Sequence, residues 1–270
     1  MYLKLKIVVV VFVSVFVFWS CDEDGTLNLF TVQDDIDFGE QFHLEIEQNS
    51  EQFPILSPAA FPEAYDHIER IRDELVASDD LRYANDFDWD IYIIDDDETL
   101  NAFCVPGGKM YFYTGIIKFL DNEAQLAGVM AHEMAHADRR HSTKTMTKAY
   151  GFSILLSALL GDDPALMAEI AADLALGLGE LKFSRDHEYE ADEYAVRYTA
   201  DANGDQNYFP KGISAFFEKI SGHSTTIEFL STHPDPGNRL ENIDEFWNSI
   251  GSPEGEEYSS RYEDFKNSLP

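Results

Sequence analysis

The order of apolar and polar positions divides the chain into a short leading run and a longer folded part. From Ile7 to Trp19 only Ser14 interrupts an apolar stretch, which is shorter than the about 20 residues a membrane-spanning helix needs. Helical spacing follows twice. Ile36, Gly39, Phe42, His43 and Ile46 recur among acids between Gln33 and Gln48, and Ala64, Tyr65, Ile68, Ile71, Leu75 and Val76 form a stripe that Pro62 opens. Trp89 to Ile94 is then aromatic and β-branched and stops at Asp95-Asp96-Asp97. Ala102 to Val105 and Lys109 to Thr114 flank Pro106-Gly107-Gly108, so three strands are expected, the last two as a hairpin. Beyond them the pattern turns helical. Asp121 or Asn122 can cap a run to about residue 138, and helices are expected over roughly 144–160, 164–178, 185–199 (capped by Ser184), 210–220 and 236–250. The apolar pair within 150–178 is too short to span a bilayer and would pack over the core, or act as a lid or membrane-dipping hairpin. The acidic, aromatic residues after Gly251 are expected to form an extended tail. The fold class this predicts is α+β, mainly helical, with a small sheet of about three strands ahead of the most apolar helix.

That helix carries His132-Glu133-Met134-Ala135-His136. A helix advances about 100° per residue, so histidines four apart point within about 40° of each other and can share one metal ion. Glu133 lies about 60° further round, close enough to reach a water on that metal without ligating it. The helix is apolar nearly all round and therefore buried, and buried ionisable groups need partners. An ordinary core with two histidines and a surface glutamate is the competing account. Two histidines alone hold zinc weakly, which calls for a third ligand from elsewhere. Glu188 and Asp192, four apart on a later helix, face one way. One can bind the metal while the other orients a ligand histidine through its second ring nitrogen, a role that suits Asp192. Glu190 and Glu193 read as a solvated face, and His43, His67, His141, His187 and His223 as surface or packing histidines.

Composition changes the setting more than the chemistry. The net charge of −32 excludes nucleic acid and anionic lipid as partners and keeps the chain soluble. Lys4 and Lys6 ahead of the apolar run make residues 1–20 a secretory signal, or an uncleaved anchor. Ser20-Cys21 at its end resembles a bacterial lipobox, which would make Cys21 a lipidation site, and Asp22-Glu23-Asp24 resembles a lipoprotein sorting tag. Residues 21–32 then form an acidic tether. With Cys21 so used, Cys104 has no partner and no disulfide holds the fold. The expected location is extracytoplasmic, on a cell-envelope membrane, the outer membrane favoured.

Four ordered stretches together resemble the M48 family of zinc metallopeptidases over about residues 33–250: His132–His136; Phe183-Ser184-Arg185 leading into Glu188–Asp192; Asn101–Tyr111 with its Asn-Ala-Phe and Pro-Gly-Gly; and His233-Pro234-Asp235 with Arg239. Cys104 departs from the small residue usual at its place. The resemblance implies a zincin-like (gluzincin) metallopeptidase domain holding one Zn²⁺ on His132, His136 and Glu188, with Glu133 as general base on a water in the fourth position. It makes His233 and Arg239 candidates for stabilising the oxyanion, with Tyr189 and Tyr198 behind them. A rival role for His233 is to occupy the fourth position itself. The strand Asn101, Ala102, Phe103, Cys104 and Val105 is the expected edge on which an extended polypeptide adds, with weak side-chain specificity. The function this implies is cleavage of unfolded or misassembled envelope proteins; the alternative is an assembly factor that binds clients, with minor or gated proteolysis.

Overall fold

Thr31 starts the first helix by a reciprocal cap. Its hydroxyl accepts from the Asp34 amide while the Asp34 carboxylate accepts from the Thr31 amide at 2.6 Å. The helix α1 (Val32–Gln48) buries Gly39, Phe42 and Ile46 as expected, but Phe38 and Asp35 in place of the half-buried Ile36 and His43, whereas α2 (Pro62–Val76) buries Ala64, Tyr65, Ile68, Ile71 and Leu75 from the stripe its spacing predicts. The structure is a computed structural model that describes residues 25–160 (152–160 as helical backbone), 182–201, 207–221, 228–234 and 237–270. The expected signal segment, Cys21, the helix at 164–178 and the loop at 202–205 lie outside those residues.

Three strands, β1 (Ile91–Ile94), β2 (Ala102–Cys104) and β3 (Met110–Tyr113), form one sheet in the order β1-β3-β2. The expected hairpin is present: β2 runs antiparallel to β3, and β1 runs parallel to it. Its turn uses Gly107 at φ +84°, where a Cβ would stand 2.8 Å from the α-carbon of Ile36, so the turn is pressed against α1. After the short α3 (Thr114–Phe119) comes α4 (Glu123–Asp138), capped by the Asn122 side chain and buried at every residue. The remaining helices are α5 (His141–Leu160), α6 (Arg185–Ala200), α7 (Gly212–Ser221), α8 (Phe229–Thr232), α9 (Arg239–Ser249) and α10 (Ser259–Asn267). Helix α4 is the axis: α6 and α7 pack along it, and at the α4–α7 crossing a Cβ on Gly212 would fall 1.9 Å from the Ala124 carbonyl oxygen. Apolar side chains of α2, the sheet, α4, α6, α7 and α10 make one contiguous core. The result is a mainly helical α+β, zincin-like domain.

Two expectations about the ends are corrected. The segment after Gly251 is not an extended tail. It carries α10, whose Tyr262 and Phe265 enter the core, while Arg261 and Arg70 both pair with buried Glu123 at the start of α4. An apolar pair three apart sufficed for a helix that the many acids concealed. Residues 28–30 are not a free tether either: Asn28 bonds Thr143 at 3.0 Å, the Leu29 amide donates to Thr147 at 3.0 Å, and Arg140 donates to the Phe30 carbonyl at 2.7 Å. No helix among the described residues is long and apolar enough to cross a membrane.

Candidate active site

Four segments converge on one face of α4. That helix supplies His132, Glu133 and His136; α6, crossing it, supplies Glu188 and Asp192; the turn after α8 supplies His233; and the first residue of α9 is Arg239. All seven side chains are buried. The Nε2 atoms of His132 and His136 lie 3.1 Å apart, and stand 3.6 and 3.7 Å from the carboxylate oxygens of Glu188. His233 Nδ1 is 3.4 Å from His132 Nε2 and 3.3 Å from Glu188 Oε1. Ligand atoms about 2.0–2.1 Å from a tetrahedral centre lie about 3.3 Å from one another, and these four, all within 4.8 Å of one another, are clustered closely enough to converge on one metal ion. Among the described residues this is the one such cluster.

Charge points the same way. Glu133, Glu188 and Asp192 bring three carboxylates into a buried site that contains one guanidinium, Arg239. Two negative charges are left over, which a divalent cation neutralises. Neither Glu188 oxygen has a hydrogen-bond partner of good geometry among the described residues, although Arg239 Nη1 is 3.1 Å from Oε2. A proton also answers the imbalance: burial pushes the His132 imidazole down, but the carboxylates of Asp192 and Glu188 beside it outweigh that and hold it at about 9. Burial likewise works against the charge on Glu188, yet His233 and His132 keep its carboxyl below the usual range. In His136 burial prevails and the ring stays neutral. The residues fit a metal ion, and the two-nitrogen, carboxylate donor set suits zinc.

Asp192 Oδ1 stands 3.0 Å from His132 Nδ1, the geometry that leaves Nε2 facing the cluster. Arg239 forks onto the Asp192 carboxylate, with Nε 2.7 Å from Oδ2, and lies 3.8 Å over the ring of Phe217. Its Nη1 is 3.1 Å from Glu188 Oε2 and its Nη2 3.4 Å from His132 Nε2, so in this arrangement Arg239 packs against the candidate ligands themselves. Tyr198 is elsewhere, donating to Asp138 at 2.8 Å, and Tyr189 is on the surface against Asn238. Glu133 accepts the Cys104 amide on Oε2 at 3.2 Å, while Oε1 has no hydrogen-bond partner among the described residues. Burial raises the Glu133 pKa, against the pull of His233 and His132, which suits a group that takes up a proton.

The edge of β2 is bounded at both ends. Bonds from the Val105 amide to Lys109 and from the Tyr113 amide to Asn101 turn odd-numbered backbones toward β3. Residues 102 and 104 therefore face the free edge. There the Leu100 carbonyl accepts the Phe229 amide at 3.2 Å, the Cys104 amide goes to Glu133, and Ala102 is fully buried. The edge is thus a groove partly roofed by the α8 turn, not an open strand. An apolar pocket lies beside it.

Sequence reasoning missed a third layer. His141 is buried, its Nδ1 3.0 Å from Nδ1 of His136 and its Nε2 3.1 Å from Glu190 Oε2; Arg139 holds Glu190 Oε1 at 2.8 Å. A residue five beyond His136 on a continuous helix points about 140° away. The left-handed Arg140, at φ +57°, breaks the helix and returns His141 to the site. Phe183, immediately before the Ser184 cap, stacks on His136 at 3.9 Å between centroids.

Fold and site together define a zincin-like domain built around a candidate single-metal centre. The chain belongs to peptidase family M48, whose model matches residues 62–246. A β-barrel assembly-enhancing protease of Escherichia coli is 32% identical over 161 residues, 55% of this chain and 32% of that protein. The mitochondrial metalloendopeptidase OMA1 of Schizosaccharomyces pombe is 29% identical over 186 residues, 67% of this chain and 52% of that protein. That of Arabidopsis thaliana is 31% identical over 148 residues, 54% and 29% of the two chains. The chain spans about a third to a half of the length of these relatives.

Proposed function

We propose that the chain is a zinc-dependent metalloendopeptidase of the bacterial envelope, tethered through a lipid on Cys21, that cleaves extended segments of unfolded or misassembled proteins. The observation that carries this reading is the ligand cluster with a proton acceptor beside it: His132, His136 and Glu188 would hold the zinc, and Glu133 lies next to it. When bound, the metal supplies Lewis acidity to a scissile carbonyl and lowers the pKa of water. Glu133 takes the proton of the attacking water at Oε1 and returns it to the leaving amine. Asp192 holds the His132 tautomer, Arg239 holds Asp192, and the β2 edge aligns the peptide backbone. Similarity to the β-barrel assembly-enhancing protease of Escherichia coli supports the envelope setting.

The position of His233 supports a second feature, gating. Its Nδ1 is the fourth candidate ligand atom of the cluster, and the same turn takes the Leu100 carbonyl of the β2 edge through the Phe229 amide. This favours His233 as a plug over His233 as an oxyanion stabiliser, and it keeps alive the reading of a client-binding assembly factor with restrained proteolysis. Digestion of casein by the purified chain, with and without chelator, tests the function. Glu133→Gln should abolish cleavage while zinc stays near one per chain, and His233→Ala should raise it. Failure of both wild type and His233→Ala to cleave in the presence of zinc would leave the client-binding reading in its place.

A further inference from the structure

Beside Glu133 and His233 the cleft opens into a cavity of about 70 Å³ walled by Phe38 and Phe42 of α1, Val105 and Pro106 after β2, Met146 of α5, and Phe183. Three features give it a task. It is continuous with the candidate base, since Glu133 forms part of its lining. It lies along β2, with Asn101, Phe103 and Cys104 on its rim, so a peptide paired with that strand passes over its mouth. The lining is mainly apolar; its polar members are Glu133, His233, Asn101, Ser142 and Thr232. In strand addition the backbone bonds supply affinity and the side-chain pockets supply selectivity.

Its size narrows what can enter. A single water needs about 10–15 Å³ measured in this way, and an engineered cavity of about 150 Å³ takes up benzene. A cavity of about 70 Å³ lies between them and suits a medium-sized aliphatic side chain. The wall on the α1 side is firmly placed. Asp35 of α1 pairs with Arg140 at 2.5 Å, both buried, and Gly39 lets the helix lie so close to the hairpin turn that a Cβ there would stand 2.3 Å from the Pro106 oxygen. Helix α1 precedes the segment matched by the family model, so membership of the family does not by itself predict this wall.

We infer that this cavity is a specificity pocket in which α1 and α5 select a medium-sized aliphatic residue at one fixed position beside the scissile bond. The inference rests on the peptidase reading and replaces the expectation of weak side-chain specificity. Phe38 of α1 and Met146 of α5 both line the pocket, as does Ser142 of α5, where a larger side chain would reduce its volume.

The test is to digest reduced, alkylated casein with the zinc-loaded full chain, wild type and His233→Ala, and to map the cut sites by mass spectrometry. Leu, Ile, Val and Met should be enriched at one position flanking the cut, about tenfold over aromatic and charged residues. Phe38→Ala, or Met146→Ala on α5 should the first variant fail to fold, should raise cutting at Phe and Tyr relative to Leu by about tenfold. One methylene in an apolar pocket is worth about 10- to 200-fold in selectivity. Ser142→Leu should shift the preference toward Ala and Ser. Cut sites with no preferred residue at any position, or one preference unchanged across the wall variants, would overturn the pocket and leave the peptidase standing. Absence of zinc-dependent cleavage by both wild type and His233→Ala would overturn both.

Discussion

Replacing His141 by Phe tests whether the site is tuned from behind. For His136 to offer Nε2 to a metal, its proton must sit on Nδ1, and the atom 3.0 Å away, Nδ1 of His141, must accept it. His141 must then carry its own proton on Nε2, where Glu190 Oε2 receives it at 3.1 Å. Burial pushes the pKa of both rings down, so both are neutral, as this chain of bonds requires. Phe keeps a flat ring in place of the imidazole that stacks on His187 at 4.3 Å, but provides no acceptor. A buried N–H left without a partner costs about 1–3 kcal/mol. Because His136 can turn away to find another acceptor only by giving up the metal, that cost falls on metal binding. At about 1.4 kcal/mol per decade, the zinc dissociation constant should rise about 10- to 100-fold. Competition with a chromophoric chelator measures it directly. The metal-free variant should melt near wild type, and His141→Gln, whose amide oxygen can accept, should recover part of the affinity. A zinc affinity in His141→Phe within twofold of wild type would refute the relay.

Zinc binding near pH 7 should release close to one proton per metal, because the His132 imidazole, held at about 9 without metal, must give up its proton to bind; calorimetry in buffers of different ionisation enthalpy reads the number, and affinity should fall as pH drops. Glu123→Gln should destabilise the fold by about 3–5 kcal/mol in denaturant titration, since it strips the buried partner from Arg70 and Arg261. Burial opposes the Glu123 charge, but the two arginines prevail and depress its folded pKa. Its contribution is therefore fully present above the unfolded carboxyl value and should disappear as pH falls through the lower folded one, narrowing the gap between variant and wild type in acid. Phe265→Ala should cost about 3–5 kcal/mol, where an extended tail would tolerate it at no measurable cost.

What could be read from the sequence was periodicity and residue type. The stripe of α2 appears at its predicted positions, and that of α1 in part with Phe38 buried in place of Ile36, because a helix facing a core must repeat its apolar residues at about 3.6. Glu188 and Asp192 were identifiable as a pair because a spacing of four on a helix fixes a shared face whatever surrounds it. His141 escaped for the converse reason. Its approach to His136 depends on one left-handed residue, and a positive φ at an arginine leaves no mark in composition or period. Glu190 was misjudged with it, since a carboxylate on a charged helix looks solvated until its partner is known. α10 was hidden by arithmetic: many acids suggested a solvated tail, while two aromatic residues three apart were enough to fasten it to the core.

The two residues from the downstream motif, His233 and Arg239, mark where a motif stops and geometry begins. Either could have faced a substrate, for a motif specifies that a histidine and an arginine reach the metal but not from which side. Distance decides. Arg239 has Nε 2.7 Å from Asp192 and Nη1 3.1 Å from Glu188, so its charge is used in balancing two carboxylates. Moving it toward a developing oxyanion would break its pairing with both, leaving Asp192 only His132 and Glu188 only the histidines around it. His233 is bound less tightly by such ties. Its Nδ1 lies 3.3 Å from Glu188 and its Nε2 3.4 Å from Glu133 Oε1, and its ring stacks on Phe229 at 4.4 Å. A water standing between the metal and Glu133 would need the space that His233 now fills. On the gating proposed above, hydrolysis would require the α8 turn to withdraw, and the same withdrawal would free the Leu100 carbonyl, which now accepts the Phe229 amide, for a peptide strand. Under that proposal, opening the metal corner and opening the backbone groove would be one movement.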